Sequence, residues 1–440
     1  MRVVFSLRSL GRPFLILWAG ITTSMIGSLL ASFALSVWVF QHSGSVLVYS
    51  GMVAATTLPA LLILPWAGNL ADRIDRRYVL VASCFCSIIV SLSLAALLWC
   101  DRLAIWHLYA FNVLVAAISA FTNPAYQATV SSLLDKEQLT RGVGLMGMSS
   151  NLFAGFTPMI AGGLLGVVGL PGIILINIVM ICIATVLVVK AIAYIPAIAT
   201  FMDPKECLSI RRVMANFFDS VSFFIKRRLL MGLLAYLVIL NSLISFVSTL
   251  FTPLVLSNHT ASQLGLIMTI GSIGSLLGSG FLFVKDTLKR FMKIILTCNV
   301  ILSSCIMVGG SGNSIVLYSG CAFIAMLAGA VGSGCGTSLW MRKVPLERQG
   351  SIFALVGTIA LIMMSVVTVV GGFIADNVFE PALGSGGIWV DSISVWLGTG
   401  KGKGLSLEFI ICGFLGVMLS LAAMTHRRFR NMERYVPDSR

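Results

Sequence analysis

Long apolar stretches, nearly free of Lys, Arg, Asp and Glu, alternate with short charged clusters along the whole chain. A helix takes about 20 apolar residues to cross hydrocarbon, so stretch length counts crossings. Four stretches are long enough for two helices and carry a glycine or polar break near the middle. They are 13–71 (broken at Gln41 to Ser45), 142–189 (at Gly169 to Gly172), 229–284 (at Ser257 to Thr260) and 294–341 (at Gly309 to Ser314). Four others, 78–100, 103–134, 349–375 and 404–425, suit one crossing each, the last containing Glu408. The pattern predicts an all-α membrane protein with twelve transmembrane helices.

Composition sharpens this picture. The 440 residues are 58% hydrophobic and 10% charged, with a mean hydropathy of +0.99, whereas a soluble domain is roughly a quarter charged. The net charge of +14 would suit nucleic acid only if the basic residues formed a patch; they sit instead in loops between apolar runs, so no nucleic-acid partner is expected. With the N-terminus inside, 27 of the 30 Lys and Arg fall on one side, leaving Arg102, Lys401 and Lys403 on the other. That asymmetry places both termini in the cytoplasm. The ten cysteines show no metal-ligand spacing, so neither a metal site, a disulfide framework nor another cofactor is expected.

The longest internal connection separates six helices from six. This predicts an N-terminal six-helix bundle over 1–193, a cytoplasmic linker over 194–228, a C-terminal bundle over 229–425 and a basic cytoplasmic tail over 426–440. The linker contains Pro196, Pro204 and several basic residues, which favour an anionic lipid surface.

The loop after helix 2 reads Gly68-Asn-Leu-Ala-Asp72-Arg73-Ile-Asp75-Arg76-Arg77. Gly68 permits close backbone approach. Asp72 can cap the N-terminus of a facing helix, worth ~0.3–2 kcal/mol, and Arg73, Arg76 and Arg77 can pair with Asp72, Asp75 or Asp135. Such a set would latch the cytoplasmic side; the alternative is that the charges only enforce topology. The loop resembles the helix 2–3 signature of the major facilitator superfamily, with Asp75 where glycine is usual. That version resembles the branch containing macrolide-efflux and enterobactin-exporter proteins, as do Phe33 to Gln41, Asn123-Pro124-Ala-Tyr-Gln127 and Phe379-Glu380-Pro381. The resemblance implies the major facilitator fold of two six-helix bundles, with helix 11 facing Asp72 and helices 1, 4, 7 and 10 lining a central path.

Polar groups within the spans are expensive in hydrocarbon and should face a cavity or another helix. Ser24, Ser28, Ser32 and Ser36 form one stripe on helix 1; Asn112, Ser119, Asn123 and Gln127 form one on helix 4; Asn241, Ser245, Ser248 and Thr252 form one on helix 7. Ser28, Ser32, Asn112, Asn123, Gln127, Asn241 and Ser245 are the expected cavity-lining residues, although small residues four apart also serve close helix packing. Pro158, within a degenerate version of the family's antiporter signature (Gly155 to Gly163), should kink helix 5. Of sixteen acidic residues, Glu408 is the one inside a span; it and Asp72 are the candidates for coupling transport to protons.

These readings converge on a secondary transporter in a bacterial inner membrane, not an enzyme. It would export amphipathic small molecules (a drug, macrolide, siderophore or peptide natural product) by alternating access, by proton antiport. Its expected partners are the lipid bilayer, its cargo and protons, and a monomer is the expected state. A lysophospholipid flippase or nutrient carrier of the same fold, or a non-transporting scaffold or receptor, are the alternatives.

Overall fold

The computed structural model describes residues 10–71, 75–194, 228–284, 290–343, 346–383, 402–430 and 432. Helices make up almost all of them, and no strand occurs among the described residues. The first four are α1 (Arg12–Ser43), α2 (Val46–Ala71), α3 (Arg76–Trp99) and α4 (Ile105–Leu133). A continuous run, Lys136–Ile192, is interrupted by non-helical backbone at Gly169 (φ 65°, ψ −175°). It therefore comprises α5 (136–168) and α6 (170–192). Glycine is required at that turn because a Cβ disfavours positive φ, and Pro171 then starts the next helix with a pre-set φ. Pro158 lies inside α5, and Gly169 is the residue in this run that departs from helical angles.

The remaining long helices are α7 (Arg228–Leu256), α8 (Ala261–Val284), α9 (Phe291–Gly310), α10 (Ile315–Lys343), α11 (Leu346–Ile374) and α12 (Lys403–Thr425). A π-helical turn, Ala375–Phe379, and a short helix, Glu380–Leu383, follow α11. Dividing the 136–192 run at Gly169 brings the long helices among the described residues to twelve. Among the described residues, ten helical runs are long and apolar enough to cross a membrane, with that run taken once and α2 adding the shorter apolar stretch Val46–Thr57. Large apolar side chains such as Phe85, Ile89, Trp99, Val167 and Val316 are exposed, which suits lipid and not water.

The chain forms two compact units. The first comprises Met1–Val39 and Ala55–Cys207; the second comprises Phe40–Ala54 and Leu208–Arg440. The end of α1 and the start of α2 thus join the second unit, an assignment that helix order alone does not suggest. Most of the linker, 195–227, lies outside the described residues.

In the first unit, Phe14, Leu17, Leu80, Ala125, Tyr126, Val130 and Val188 bury one another. Gly20 and Gly27 bring α1 close to α6, where an added Cβ at Gly20 would lie 3.2 Å from the Ala184 carbonyl oxygen. In the second unit, α7, α9, α10 and α11 share a core containing Leu233, Ile295, Leu296, Trp340 and Leu355. Phe429 and Met432 of the predicted tail pack into the same core, so the start of the tail is anchored to the bundle.

Glycines set the closest approaches in this unit. A Cβ at Gly278 of α8 would sit 2.5 Å from the Leu327 carbonyl oxygen, and one at Gly310 of α9 would sit 2.7 Å from that of Ser406. Without side chains there, the backbones touch and dispersion replaces the hydrophobic drive that lipid cannot supply. A buried polar chain ties α9, α7 and α12 together: Asn299 Nδ2 donates to Tyr236 Oη at 2.9 Å, and that hydroxyl lies 3.1 Å from Ser420 Oγ.

Candidate functional site

The densest polar geometry surrounds the first turn of α2, within the second unit. Gly44 turns the chain with φ 62°, and Ser45 becomes the N-cap, its Oγ accepting the Val48 amide at 3.2 Å. A helix start leaves its first amides without intrahelical acceptors. Here the others are met by a carboxylate from across the bundle. Asp376 Oδ1 accepts the Val46 amide at 3.0 Å. Its Oδ2 accepts the Leu47 amide at 3.0 Å and the Ser45 hydroxyl at 2.5 Å. The negative charge also sits on the positive end of the helix dipole. Gly372, one turn earlier in the chain, makes the approach possible: a Cβ there would overlap the Ser50 side chain and come within 3.0 Å of Leu47 Cα.

Beyond the π-helical turn, Glu380 Oε1 accepts the Gly402 amide at 3.0 Å. Gly402 has φ 83° and directly precedes α12. Burial pushes the Glu380 carboxyl above the usual carboxylate range; the Gly402 amide opposes this, the Asp376 charge adds to it and the Leu405 amide opposes it. Glu408 lies in the second turn of α12, only 2% exposed. Neither of its oxygens has a hydrogen-bond partner, and Glu380 and Asp376 both act on it electrostatically. The sequence singles out Glu408 but misses Asp376 and Glu380. The Gly44-Ser45 pair is a legible cap signal; its acceptor, some 330 residues away, is not.

The cytoplasmic latch residues are only partly described. Asp72 and Arg73 lie outside the described residues, and Gly68 falls within the last turn of α2. Asp75 is the N-cap of α3: its Oδ1 accepts the Arg77 amide at 3.0 Å, and its Oδ2 lies 3.7 Å from Arg77 Nε. Its departure from glycine therefore has a local structural reason. Arg76 opens α3. Asp135 is exposed and precedes α5 without a side-chain cap bond, so it does not repeat the role of Asp75.

The predicted cavity residues separate into two kinds. Ser28 and Ser32 on α1, Asn123 and Gln127 on α4, and Asn241 on α7 are exposed, and Ser245 is half-buried. Asn241 turns Nδ2 back to the Leu237 carbonyl at 2.8 Å. Asn112 differs from its stripe: it is buried, and its Nδ2 donates to the Leu108 carbonyl at 3.0 Å on its own helix. Burial thus sets Asn112 apart from Asn123 and Gln127, which are exposed. His107 caps α4, its Nδ1 accepting the Ala104 amide at 3.0 Å. Among the described residues no group of three His, Cys, Asp or Glu could hold a metal ion.

Comparisons with known proteins complete the picture. The model of the Major Facilitator Superfamily matches residues 17–368. Macrolide efflux protein A of Streptococcus pyogenes is 24% identical over 372 residues, covering 83% of this chain and 90% of that protein. The class C tetracycline resistance protein of Escherichia coli is 32% identical over 130 residues, 29% of this chain and 31% of that one. Among solved structures, a bacterial homologue of the human lysosomal transporter Spinster superposes with a TM-score of 0.68 at 13% identity, covering 98% of both chains.

Proposed function

The chain belongs to the Major Facilitator Superfamily, and on that premise we propose that it exports amphipathic small molecules by alternating access, driven by inward proton flow. Its similarity to a macrolide efflux protein and a tetracycline resistance protein supports export of drug-like cargo. The observation that carries the coupling is Glu408: an ionisable side chain in a membrane-spanning helix, buried and without a single donor. A carboxylate so placed is stable with a proton and costly without one, which is the property a coupling site needs.

The cargo path in this reading follows the exposed polar faces: Ser28 and Ser32 of α1, Asn123 and Gln127 of α4, and Asn241 and Ser245 of α7. Those groups are neutral, so they suit amphipathic molecules better than strongly cationic ones. Both termini lie in the cytoplasm of a bacterial inner membrane, following the positive-inside distribution. The Gly68–Arg77 loop acts as the cytoplasmic latch, with Asp75 holding the start of α3 so that Arg76 and Arg77 are presented together. Asp72 is the second coupling candidate, through that latch.

Everted vesicles carrying the full chain provide the test. An imposed proton gradient should drive uptake of a macrolide such as erythromycin, an uncoupler should abolish it, and Glu408→Gln should lose uphill flux while retaining drug binding. Uphill flux that survives collapse of the gradient would reject the proton reading.

A further inference from the structure

The α2 cap holds three carboxylates in one another's field, and only two have donors. Asp376 is engaged by Ser45, Val46 and Leu47, and Glu380 by Gly402. Glu408 is buried, feels the charge of both and receives no hydrogen bond. Among the described residues, the elements packed on α12 near Glu408 bring no Lys or Arg. α7 has no Lys or Arg over 229–256, α9 none over 294–310, and the π-helical turn with the short helix after it none over 375–383. The titratable groups on this side include Cys412 on α12, Cys305 on α9, and Tyr318 and Cys321 on α10, none of which can carry a positive charge; the two histidines here lie elsewhere, His259 against Tyr318 with its Nε2 3.0 Å from the Asn313 carbonyl oxygen, and His42 in the last turn of α1. Lys403 opens α12, five residues before Glu408. A third negative charge here would be unpaired, desolvated and next to two like charges, which costs far more than a hydrogen bond returns. The Asp376 bonds to α2 are therefore compatible with Glu408 only in its neutral form.

We propose that Asp376, Glu380 and Glu408 form a proton-gated clasp: while Glu408 is protonated, Asp376 stays on the α2 N-terminus, and loss of that proton releases it. The proton enters from water on the side of the π-helical turn, the outer side in the orientation proposed above, and in the transport cycle it leaves inward. Once ionised, Glu408 repels Asp376 and Glu380, the amides of Val46 and Leu47 lose their acceptor, and the first turn of α2 frays. Proton loading of Glu408 then permits closure at this end, and proton loss favours opening. The clasp rests on the transport reading for its purpose, but its state can be measured without transport.

Hydrogen–deuterium exchange on the purified full-length protein reads it directly, through peptides spanning residues 40–52 and corrected for the intrinsic pH dependence of exchange. In wild type these amides should exchange about tenfold more slowly at about pH 6 than at about pH 9, as expected for lost charge-assisted hydrogen bonds. Glu408→Gln, permanently neutral, should be slow at both values, and Asp376→Ala fast at both. Glu408→Leu serves the same purpose if the glutamine variant does not fold. Equal protection of wild type at both pH values, or a neutral variant that keeps the wild-type pH response, overturns the clasp. Intact pH-dependent protection without uphill drug flux would reject the exporter reading alone; intact flux without it would reject the clasp alone.

Discussion

Two successive helices of this protein have their first amides met by an aspartate, yet the two caps differ in kind. At α3, Asp75 sits one residue before the helix and accepts the amide of Arg77, two residues on. At α2, the local cap Ser45 handles one amide, and Asp376 handles two more from the far end of α11. The dipole interaction is the same in both. What differs is the information needed to form it: Asp75 closes a turn that exists as soon as the chain is written, while Asp376 closes one only after α2 and α11 have met. A local cap stabilises a helix in every conformation of the protein. A remote one stabilises only those conformations in which its two ends are together, and can therefore act as a switch.

Substitutions at the two caps should separate these roles. The largest effect is expected from Gly372→Leu, because bulk at that position meets Ser50 and the Leu47 backbone. Overpacking there should cost about 3 kcal/mol or more and remove the exchange protection of the α2 start, leaving that of α3 intact. Asp376→Ala should follow, with about 2–3 kcal/mol lost as three donors forfeit a charged acceptor; thermal unfolding in detergent measures both. Combining it with Ser45→Ala should cost less than the sum of the two single losses, because the pair shares a hydrogen bond.

A pH series sharpens the comparison further. The Glu380 carboxyl is raised in the folded protein, so the fold binds that proton more tightly than the unfolded chain does. Stability from this group is present at low pH and falls as pH rises through its folded value. Glu380→Gln should flatten that decline in a melting-temperature series, and Asp75→Asn should leave it in place. The smallest effects belong to the local cap. Asp75→Ala should cost about 1 kcal/mol, and Asp75→Gly, which restores the residue usual in this loop, only a few tenths. A loss at Asp75 as large as that at Asp376 would erase the distinction.

Much of the architecture was legible because it depends on short stretches of chain. Each apolar run predicts a crossing whatever surrounds it, and the breaks at Gly44 and Gly169 are written in residues that tolerate positive φ. The capping potential of Asp75 was equally local. Polar stripes determine less. Asn112 shares its helical face with Asn123 and Gln127 in sequence, but is buried and satisfied by its own helix, because periodicity gives a direction around the axis and not the neighbour found there. Glu408 stood out as the lone acid within a span, yet its burial without donors depended on where α7, α9 and the π-helical turn pack.

The sequence by itself determined a chain that must live in a bilayer, with its apolar runs, its breaks and its basic residues gathered in the connections between those runs. Hydrophobicity, helix length and backbone permissiveness act over a few turns, so they are fixed before anything packs. Only the tertiary structure decided that residues 40–54 join the second unit, that Asp376 completes the first turn of α2 and that Glu408 is left without a donor. Those outcomes join groups hundreds of residues apart, and electrostatic and hydrogen-bond energies depend on final separations that no local pattern encodes.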